Sequence, residues 1–282
     1  MKTFCETLHK GYQQHFDVEK VLYEDKTDHQ HLIIFENPQF GRVLALDGVI
    51  QVTERDEFIY HEMLVHVPML AHGKASSVLI IGGGDGGTLR EVLRHKSVES
   101  AVMVEIDRTV VDLCTEHMSG VSDGAFEDAR TNLIIADGLK FVAETDQRFD
   151  VIMVDSTDPI GPGEVLFTEA FYGDCKRCLT PGGVLVTQNG VPFFQGSEVA
   201  NSHARLKPSF ADVAFYVAPV PTYIGGFMTL GWATDDEALR GLDGATLAAR
   251  FVASTIKTRY YTPAVHGGAF ALPGYISSLI KG

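Results

Sequence analysis

A glycine-rich hexapeptide, Gly82–Gly87, constrains the fold of this chain more than any other feature. It follows the apolar run Val78–Ile81, which predicts a buried strand, and it precedes a helical pattern. Its glycines have the G-x-G-x-x-G spacing of loops that bind adenine nucleotides between a strand and a helix. Glu105, 23 positions after Gly82, ends the next apolar run and could accept hydrogen bonds from both ribose hydroxyls. We therefore predict an adenosine site, and the spacing alone does not separate NAD from S-adenosyl ligands.

The residues around this loop predict a parallel sheet. Helical patterns separate five apolar runs, namely Ser77–Ile81, Ala101–Ile106, Asn132–Ala136, Asp150–Asp155 and Gly183–Gln188. Continuous apolar strands with intervening helices are typical of a parallel sheet covered on both faces. Val213–Ala218 and Met228–Ala233 flank a long turn and predict a final antiparallel pair, as in class I methyltransferases. The predicted fold class is α/β, with a doubly wound, mostly parallel, Rossmann-like sheet.

The N-terminal part of the chain has a different pattern. Short β-type runs alternate with turn residues such as Asn37-Pro38 and Asp47-Gly48, and Asp-Gly between such runs is a strong hairpin signal. We predict a small antiparallel β domain over residues 1–65 and a Rossmann-like catalytic domain over residues 66–282.

Two aspartates after strands bear on the ligand. Asp85 lies inside the glycine loop, where it would repel the pyrophosphate of a dinucleotide and attract an ammonium or sulfonium group. Asp137, followed by Gly138, ends another strand and could accept from the exocyclic amine of adenine. Either carboxylate could instead cap the helix that follows it, and the two roles of Asp137 could coexist.

The segment after the fourth strand carries a pair of carboxylates, Asp155 and Asp158. Two carboxylates at a sheet edge can hold an alkylammonium, and one of them can take its proton. Prolines and glycines at positions 159–163 predict a mobile lid. Taken alone, the segment fits equally well a loop whose aspartates only form turns.

The composition narrows the class of partner. A formal net charge of −14 argues against nucleic acid, whose phosphates require a basic face, and it suits a cationic substrate. No apolar run is long enough for a bilayer, and no secretory signal or dense disulfide pattern is present, so we expect a cytoplasmic enzyme. Cys175 and Cys178 form a C-x-x-C on a predicted helix without a partner pair, and no metal site is expected.

Together these segments resemble the spermidine synthase family, and its bacterial members most closely. The resemblance runs from about residue 22 to residue 223, with a fitting segment near Arg259-Tyr260-Tyr261. The residues that carry it are Asp47–Gln51, Thr53–Phe58, Tyr60–Met63, the glycine loop, Val104–Asp107 and Asp155–Gly163.

The resemblance implies a reaction and a set of site residues. The family transfers an aminopropyl group from decarboxylated S-adenosylmethionine, a co-substrate, to putrescine, without a metal or other cofactor, and its members are usually homodimers. By resemblance, Gln30, Glu105, Asp137 and Gly138 would hold the nucleoside, Pro162 would pack on adenine, and Gln51 and Asp85 would face the aminopropyl arm. Tyr60, His61, Asp155, Asp158 and Tyr223 would line the diamine side, with Asp155 as the base and Gln188 as a further neighbour.

The chemistry of the residues is compatible with this reaction. A sulfonium already activates its carbons, but a protonated diamine cannot attack, so a base is required. His61 is a second candidate for proton handling because an unperturbed imidazole titrates near pH ~6.5.

Three other functions remain open at this stage. The first is an N-methyltransferase, although Asp85 should repel the carboxylate of intact S-adenosylmethionine. The second is a protein that binds polyamines or methylthioadenosine without turnover, and the third is an NAD-dependent dehydrogenase. Acceptors of other lengths, cadaverine and spermidine, are also open.

Overall fold

The computed structural model of the chain describes residues 2–157 and 165–281. The strands are β1 (Lys2–His9), β2 (Tyr12–Val18), β3 (Lys20–Lys26), β4 (His31–Asn37), β5 (Gly41–Leu46), β6 (Val49–Thr53), β7 (Ser77–Gly82), β8 (Ser100–Glu105), β9 (Thr131–Ile135), β10 (Phe149–Asp155), β11 (Leu179–Gln188), β12 (Asp212–Ala218) and β13 (Met228–Thr234). The helices are α1 (Glu57–His72), α2 (Gly87–Leu93), α3 (Arg108–His117), α4 (Ser119–Ser122), α5 (Gly138–Glu144), α6 (Glu169–Arg177), α7 (Pro192–Leu206), α8 (Gly244–Ser254), α9 (Pro263–Ala269) and α10 (Gly274–Ser277).

Among the described residues, seven strands form the central sheet in the order β12-β13-β11-β10-β7-β8-β9. The five strands from β11 to β9 in this order are parallel, and β13 is antiparallel to both of its neighbours. This arrangement confirms the predicted α/β class, the mostly parallel sheet and the antiparallel pair at its end.

Alternation along the central strands builds a core on each face of this sheet. Leu79 and Ile81 of β7 pack with residues of α5 and α6, whereas Val78 and Ile80 pack with residues of α1 and α2. Successive side chains of a strand point to opposite faces, so a strand covered on both sides must be apolar throughout. The continuous apolar runs of the sequence have this cause.

The N-terminal strands form two antiparallel sheets, a β1–β2 hairpin and a four-stranded sheet of β3 to β6. The hairpin has no counterpart among the predicted runs, because much of β2 is exposed and polar. The four-stranded sheet ends at Thr53, and residues 57–65, predicted as the end of the β region, form the first half of α1. The division into domains at residue 65 stays a prediction.

The burial of α1 explains why its pattern was not recognised. The helix is buried from Tyr60 to Ala71, so it lacks the polar face whose period marks a surface helix. Helix α7, which the sequence did not predict either, connects β11 to β12 and is kinked at Gln195. None of the helices in the described ranges is long and apolar enough to cross a membrane.

Candidate active site

The order of the strands places a crevice between β7 and β10. From β7 the chain continues outward to β8 and β9, and it then returns to the other side of β7 as β10. Ligands of open α/β sheets bind at such a reversal, outside the carboxyl ends of the strands. The last residues of the two strands, Gly82 and Asp155, are register partners. The glycine loop and the Asp155 segment therefore meet at one point.

A glycine is required where the two segments meet. Gly82 has a φ of +84°, and a Cβ at this position would lie 2.1 Å from the carbonyl oxygen of Asp155. The next residue, Gly83, donates its N–H to that same oxygen at 2.9 Å. The backbone of the loop is thus hydrogen-bonded to the end of β10, and a side chain at position 82 would push the loop away from that strand.

A cavity of about 430 Å³ occupies this crevice. The predicted site residues that line it are Gln30, Gln51, Tyr60, His61, Asp85, Glu105, Asp137, Gly138, Asp155, Gln188 and Tyr223. Asp158, Pro162 and the predicted lid lie outside the described residues. Side chains from widely separated segments therefore converge as expected, although convergence alone does not assign their roles.

At one end of the cavity, the carboxylate of Glu105 is 7% exposed and accepts the N–H of Asp107 at 2.9 Å. Burial raises the pKa of Glu105 to about 7, because few donors offset the loss of water. Gln30 lies beside it and donates from Nε2 to Asp107 Oδ2 at 3.3 Å. Glu105 thus has spare acceptor capacity for hydroxyl groups of a ligand.

Asp137 performs the capping role that the sequence had left open. Its Oδ1 accepts the N–H of Leu139 at 2.9 Å, at the first turn of α5. The same side chain also lines the cavity, so a contact with a ligand and the capping contact are compatible.

Asp155 is held by two hydroxyl groups at the centre of the cavity. Tyr60 donates to Oδ1 at 2.7 Å, and Thr88 donates to Oδ2 at 2.6 Å. Burial and the charge of Asp85 raise the pKa of Asp155, against the opposing effects of His61 and the two hydroxyls. Each oxygen keeps a lone pair, so the carboxylate can accept a further proton donor.

Asp85 has contacts on both sides of the glycine loop. Its Oδ1 accepts the N–H of Gly87 at 2.6 Å, at the start of α2, and lies 3.4 Å from His61 Nε2. The N-cap of α2 is Gly86, which forms no side-chain capping bond, so Asp85 contacts the helix start from one residue earlier and also forms an ion pair with His61.

His61 does not titrate as the sequence suggested. Burial lowers the pKa of its imidazole, but the carboxylates of Asp85 and Glu57 outweigh this and raise it to about 10. An imidazolium has no lone pair, so this raised pKa disfavours His61 as a base near neutral pH, and its part in proton handling stays a prediction.

Three further predicted residues have definite partners near Asp155. The Tyr223 hydroxyl donates to the carbonyl oxygen of Gln51, and the Tyr223 ring meets that of Tyr60 edge-on at 5.8 Å. Gln51 donates from Nε2 to the carbonyl oxygen of Val49 at 3.2 Å, and Gln188 accepts the N–H of Gly190 at 3.2 Å. These contacts fix the wall next to the candidate base.

Sequence reasoning missed four residues that the structure brings to the site. Thr88 bonds Asp155, and Glu6, His9 and Gln195 line the cavity. Glu6 is 4% exposed, and its Oε1 accepts the N–H of Ile50 at 2.8 Å, which ties the hairpin to β6. A threonine at a helix start carries no distinctive signal, and the hairpin that carries Glu6 was not predicted.

Two features lie apart from the cavity. In the described parts of the chain, no group of three or more His, Cys, Asp or Glu side chains could hold a metal ion. Cys175 and Cys178 are free thiols that are buried in the core between β10 and α6.

Sequence comparison identifies two family models that together span most of the chain. Residues 57–241 match the spermine/spermidine synthase domain, and residues 3–54 match a domain described as the spermidine synthase tetramerisation domain. The polyamine aminopropyltransferase of Escherichia fergusonii is 60% identical over 279 residues, which cover 99% of this chain and 97% of the relative. The enzyme of the same name from an Escherichia coli O1:K1 strain has the same identity and coverage.

Solved structures give a consistent result. A spermidine synthase in complex with the transition-state analogue AdoDATO superposes with a TM-score of 0.94 at 36% identity. The spermidine synthase of Thermotoga maritima superposes with a TM-score of 0.91 at 35% identity. Each match covers 99% of this chain and 94% of the other.

Proposed function

The chain belongs to the spermine/spermidine synthase family and is a polyamine aminopropyltransferase, and from this premise we propose its substrates and its base. The donor is decarboxylated S-adenosylmethionine, the acceptor is putrescine, and the products are spermidine and 5′-methylthioadenosine. Asp155 is the base that deprotonates the attacking amine. One similar structure is a spermidine synthase bound to a transition-state analogue, which supports this choice.

The reaction is a displacement at carbon. A nitrogen of putrescine attacks the propyl carbon attached to the sulfonium, the C–S bond breaks, and its electron pair returns to sulfur as a neutral thioether. The nitrogen gains a C–N bond and loses one proton. An alkylamine resembles the lysine side chain, with a pKa of ~10.4, so only about one molecule in a thousand is uncharged near pH 7.4. The protein must therefore favour the uncharged amine.

The contacts of Asp155 carry the assignment of the base. Its two oxygens accept from Tyr60 and Thr88, which come from different helices and fix the plane of the carboxylate. Its pKa is raised, and a raised pKa makes a carboxylate a stronger proton acceptor. A base held in one orientation also limits the approach of the amine to one direction, which favours in-line displacement.

The choice of donor rests on Asp85. Asp85 and Asp155 interact electrostatically across the cavity, and both favour a positive group between them. The decarboxylated donor presents an ammonium and a sulfonium there. Intact S-adenosylmethionine would bring a third carboxylate into a poorly hydrated site, which is costly. Glu105, Gln30, Asp137 and Gly138 then hold the nucleoside of the same molecule, with Pro162 and Asp158 as further predicted contacts.

The choice of acceptor rests on the match to spermidine synthases. Tyr60, His61, Tyr223 and Gln188 line the cavity, and Glu6 adds a buried carboxylate from the hairpin. Putrescine is the acceptor that we propose, and cadaverine and spermidine are the longer alternatives.

The assembly and the location are also proposals. The resemblance implied a homodimer, whereas the description of the N-terminal family model indicates a tetramer, so the N-terminal sheets are the proposed contact region. Light scattering on the eluting protein would separate a mass of two chains from one of four. A cytoplasmic location stays a prediction.

Product analysis tests the proposed function most simply. The protein is incubated with putrescine, cadaverine or spermidine and with either decarboxylated or intact S-adenosylmethionine, and the products are identified by mass spectrometry. We expect spermidine and methylthioadenosine from the decarboxylated donor with putrescine. Methylated putrescine from the intact donor would contradict the choice of donor, and faster transfer to cadaverine or spermidine would contradict the choice of acceptor.

A further inference from the structure

A buried ion-pair chain runs from the glycine loop into the interface between α1 and α2. His61 places Nε2 3.4 Å from Asp85 Oδ1 and Nδ1 2.6 Å from Glu57 Oε2. Glu57 in turn accepts from two nitrogens of Arg90, at 2.8 and 3.2 Å. Glu57 and His61 are 8% and 1% exposed, so water contributes little to holding these charges.

The inner end of the chain is anchored. Arg90 Nε donates to Glu91 Oε1 at 2.9 Å, and Arg90 Nη1 donates to the carbonyl oxygen of Val121. Glu91 lies 3.1 Å from His66 Nε2 and 3.0 Å from Arg94. Because Arg90 is held on several sides, Glu57 cannot follow a movement of His61 without breaking other contacts.

The ring of His61 also has little freedom. A Cβ at Gly87 would lie 2.2 Å from His61 Cε1, so the start of α2 rests directly on the imidazole. The Tyr60 ring meets it edge-on at 5.4 Å. Only a glycine at position 87 leaves room for this ring. The last glycine of the loop therefore allows the His61 imidazole to pack against the start of α2.

The charges that face His61 come from four elements. Glu57 lies on α1, Asp85 lies in the glycine loop, and Asp155 acts from the end of β10. Arg90 on α2 touches Glu57, and Tyr60 is the neutral titratable neighbour. Three carboxylates thus surround one imidazole, and Arg90 compensates one of them. Two like charges that share a buried site without a counterion usually retain one proton between them.

We propose that Glu57 is a positioning residue for the transfer: it holds His61 as a cation directed at Asp85, so that Asp85 and Asp155 are both ionised before the substrates bind. This inference rests on the proposed roles of Asp85 as the contact of the donor ammonium and of Asp155 as the base. Glu57 lines no part of the cavity. It acts through His61 and touches no reacting atom.

The sign of the pH effect follows from this chain of charges. Without Glu57, His61 loses a stabilising anion and becomes neutral at a lower pH. Where His61 is neutral, Asp155 loses a stabilising cation, and a higher pH is required to ionise it. The acidic limb of the profile of kcat/KM against pH should therefore move to higher pH in the variant.

The test uses Glu57→Gln, whose amide oxygen can still accept from Arg90. We expect its acidic limb to lie about one pH unit higher, which corresponds to about a 10-fold loss of kcat/KM at a given pH on that limb. On the plateau, kcat/KM should fall by less than about threefold. Glu57→Asp keeps the charge and should restore the limb in part. An unchanged limb in a folded Glu57→Gln protein would overturn the proposal.

Glu62→Gln is the matched control. Glu62 is a buried carboxylate on the same helix, and it accepts backbone N–H groups of Arg259, Tyr260 and Tyr261 at 2.7 to 2.8 Å. Its loss should lower stability without moving the limb. A shift in this control equal to that of Glu57→Gln would reduce the effect of Glu57 to general destabilisation and would overturn the proposal.

The protonation of His61 in the wild-type protein gives a readout independent of turnover. In protein labelled with ¹⁵N-histidine, with the His61 signals assigned through His61→Gln, both ring nitrogens should stay protonated from pH 6 to pH 8. A neutral His61 at pH 7 would overturn the proposal even if Glu57→Gln does not fold. A protonated His61 in a protein that makes no spermidine would instead support the ion pair and reject the proposed function.

Discussion

The proposed roles divide the cavity into a nucleoside half, with Glu105 and Asp137, and a reaction half, with Asp85 and Asp155, and the two halves hold their carboxylates in different ways. At the nucleoside half, Glu105 and Asp137 accept N–H groups only two residues further along the chain. At the reaction half, Asp155 accepts from Tyr60 and Thr88, which are 95 and 67 positions away. The first half is built from local turns at strand ends, whereas the second combines one such local contact, between Asp85 and Gly87, with the long-range contacts of Asp155.

The two halves also differ in whether a cation accompanies the carboxylate. Glu105 has no cationic partner among the residues that the structure describes, and burial raises its pKa to about 7. Asp85 at the reaction half has the imidazolium of His61 as a counterion. We infer that the nucleoside half needs acceptors for hydroxyl groups, whereas the reaction half needs charges that persist. The predictions below test this separation.

The largest effect is expected at the base. Asp155→Asn should lower kcat by ~10²–10⁴-fold, the usual scale of the loss of a general base. It should leave the affinity for methylthioadenosine within about threefold, because the nucleoside half is intact. Steady-state kinetics and calorimetry measure the two quantities, and near-normal turnover would remove Asp155 from the role.

Asp150→Asn is the control for this variant. Asp150 lies near the start of the same strand and accepts the N–H groups of Ser76 and Ser77 at 2.8 and 3.1 Å. Its replacement should affect stability and leave turnover nearly unchanged.

The second effect concerns Asp85. Asp85→Asn should lower the affinity for decarboxylated S-adenosylmethionine by about 10- to 100-fold, the usual effect of losing a hydrogen bond to a charged group. Methylthioadenosine lacks the amine, so its affinity should fall by less than about threefold. The loop should keep its conformation, since asparagine can still accept the N–H of Gly87. Calorimetry with both ligands measures the difference. Equal weakening would give Asp85 a structural role only.

The third effect is a pH dependence confined to the nucleoside half. In the proposed site, ribose hydroxyls would donate to the ionised form of Glu105, and with a pKa of about 7 a ligand would have to displace a proton below neutral pH. Affinity for methylthioadenosine should therefore fall by about 10-fold between pH 8 and pH 6. Titrations in buffers of different ionisation enthalpy would detect the proton released. The same dependence in Glu105→Gln would assign it to another group.

The smallest effect separates the two roles of Asp137. Asparagine is as good a helix cap as aspartate, so Asp137→Asn should keep the thermal midpoint nearly unchanged. Its amide nitrogen cannot accept from the amine of adenine, and loss of one such bond should lower the affinity for methylthioadenosine by about fivefold. A lower midpoint with unchanged affinity would leave Asp137 with capping alone.

The same difference between local and long-range contacts explains what the sequence could predict. The glycine loop, Glu105 and Asp137 were found because each follows an apolar strand directly. The hydroxyl of Thr88 and the position of Glu57 were not found, since their partners lie far away in the chain. Glu57 and His61 are four residues apart on a helix, and that spacing could have indicated a pair.

The fold shows a similar limit. The strands of the central sheet were predicted to within a few residues because their apolar runs are bounded by polar turns. Helix α1 was partly assigned to the β region because it is buried on all sides and has no amphipathic period. The raised pKa of His61 could not be predicted for a related reason, since the pKa of a buried group depends on neighbours from other segments.

Single-turnover experiments on two variants test the central claim most directly. The enzyme is in excess over putrescine, and the donor is at a saturating concentration. Under these conditions Asp155→Asn should slow aminopropyl transfer while keeping its affinity for methylthioadenosine. Glu105→Gln should lose affinity for methylthioadenosine while keeping the rate of transfer within about threefold once the donor is saturating. If both variants lost both properties together, the two halves would not be separate, and the assignment of the base to Asp155 would be contradicted.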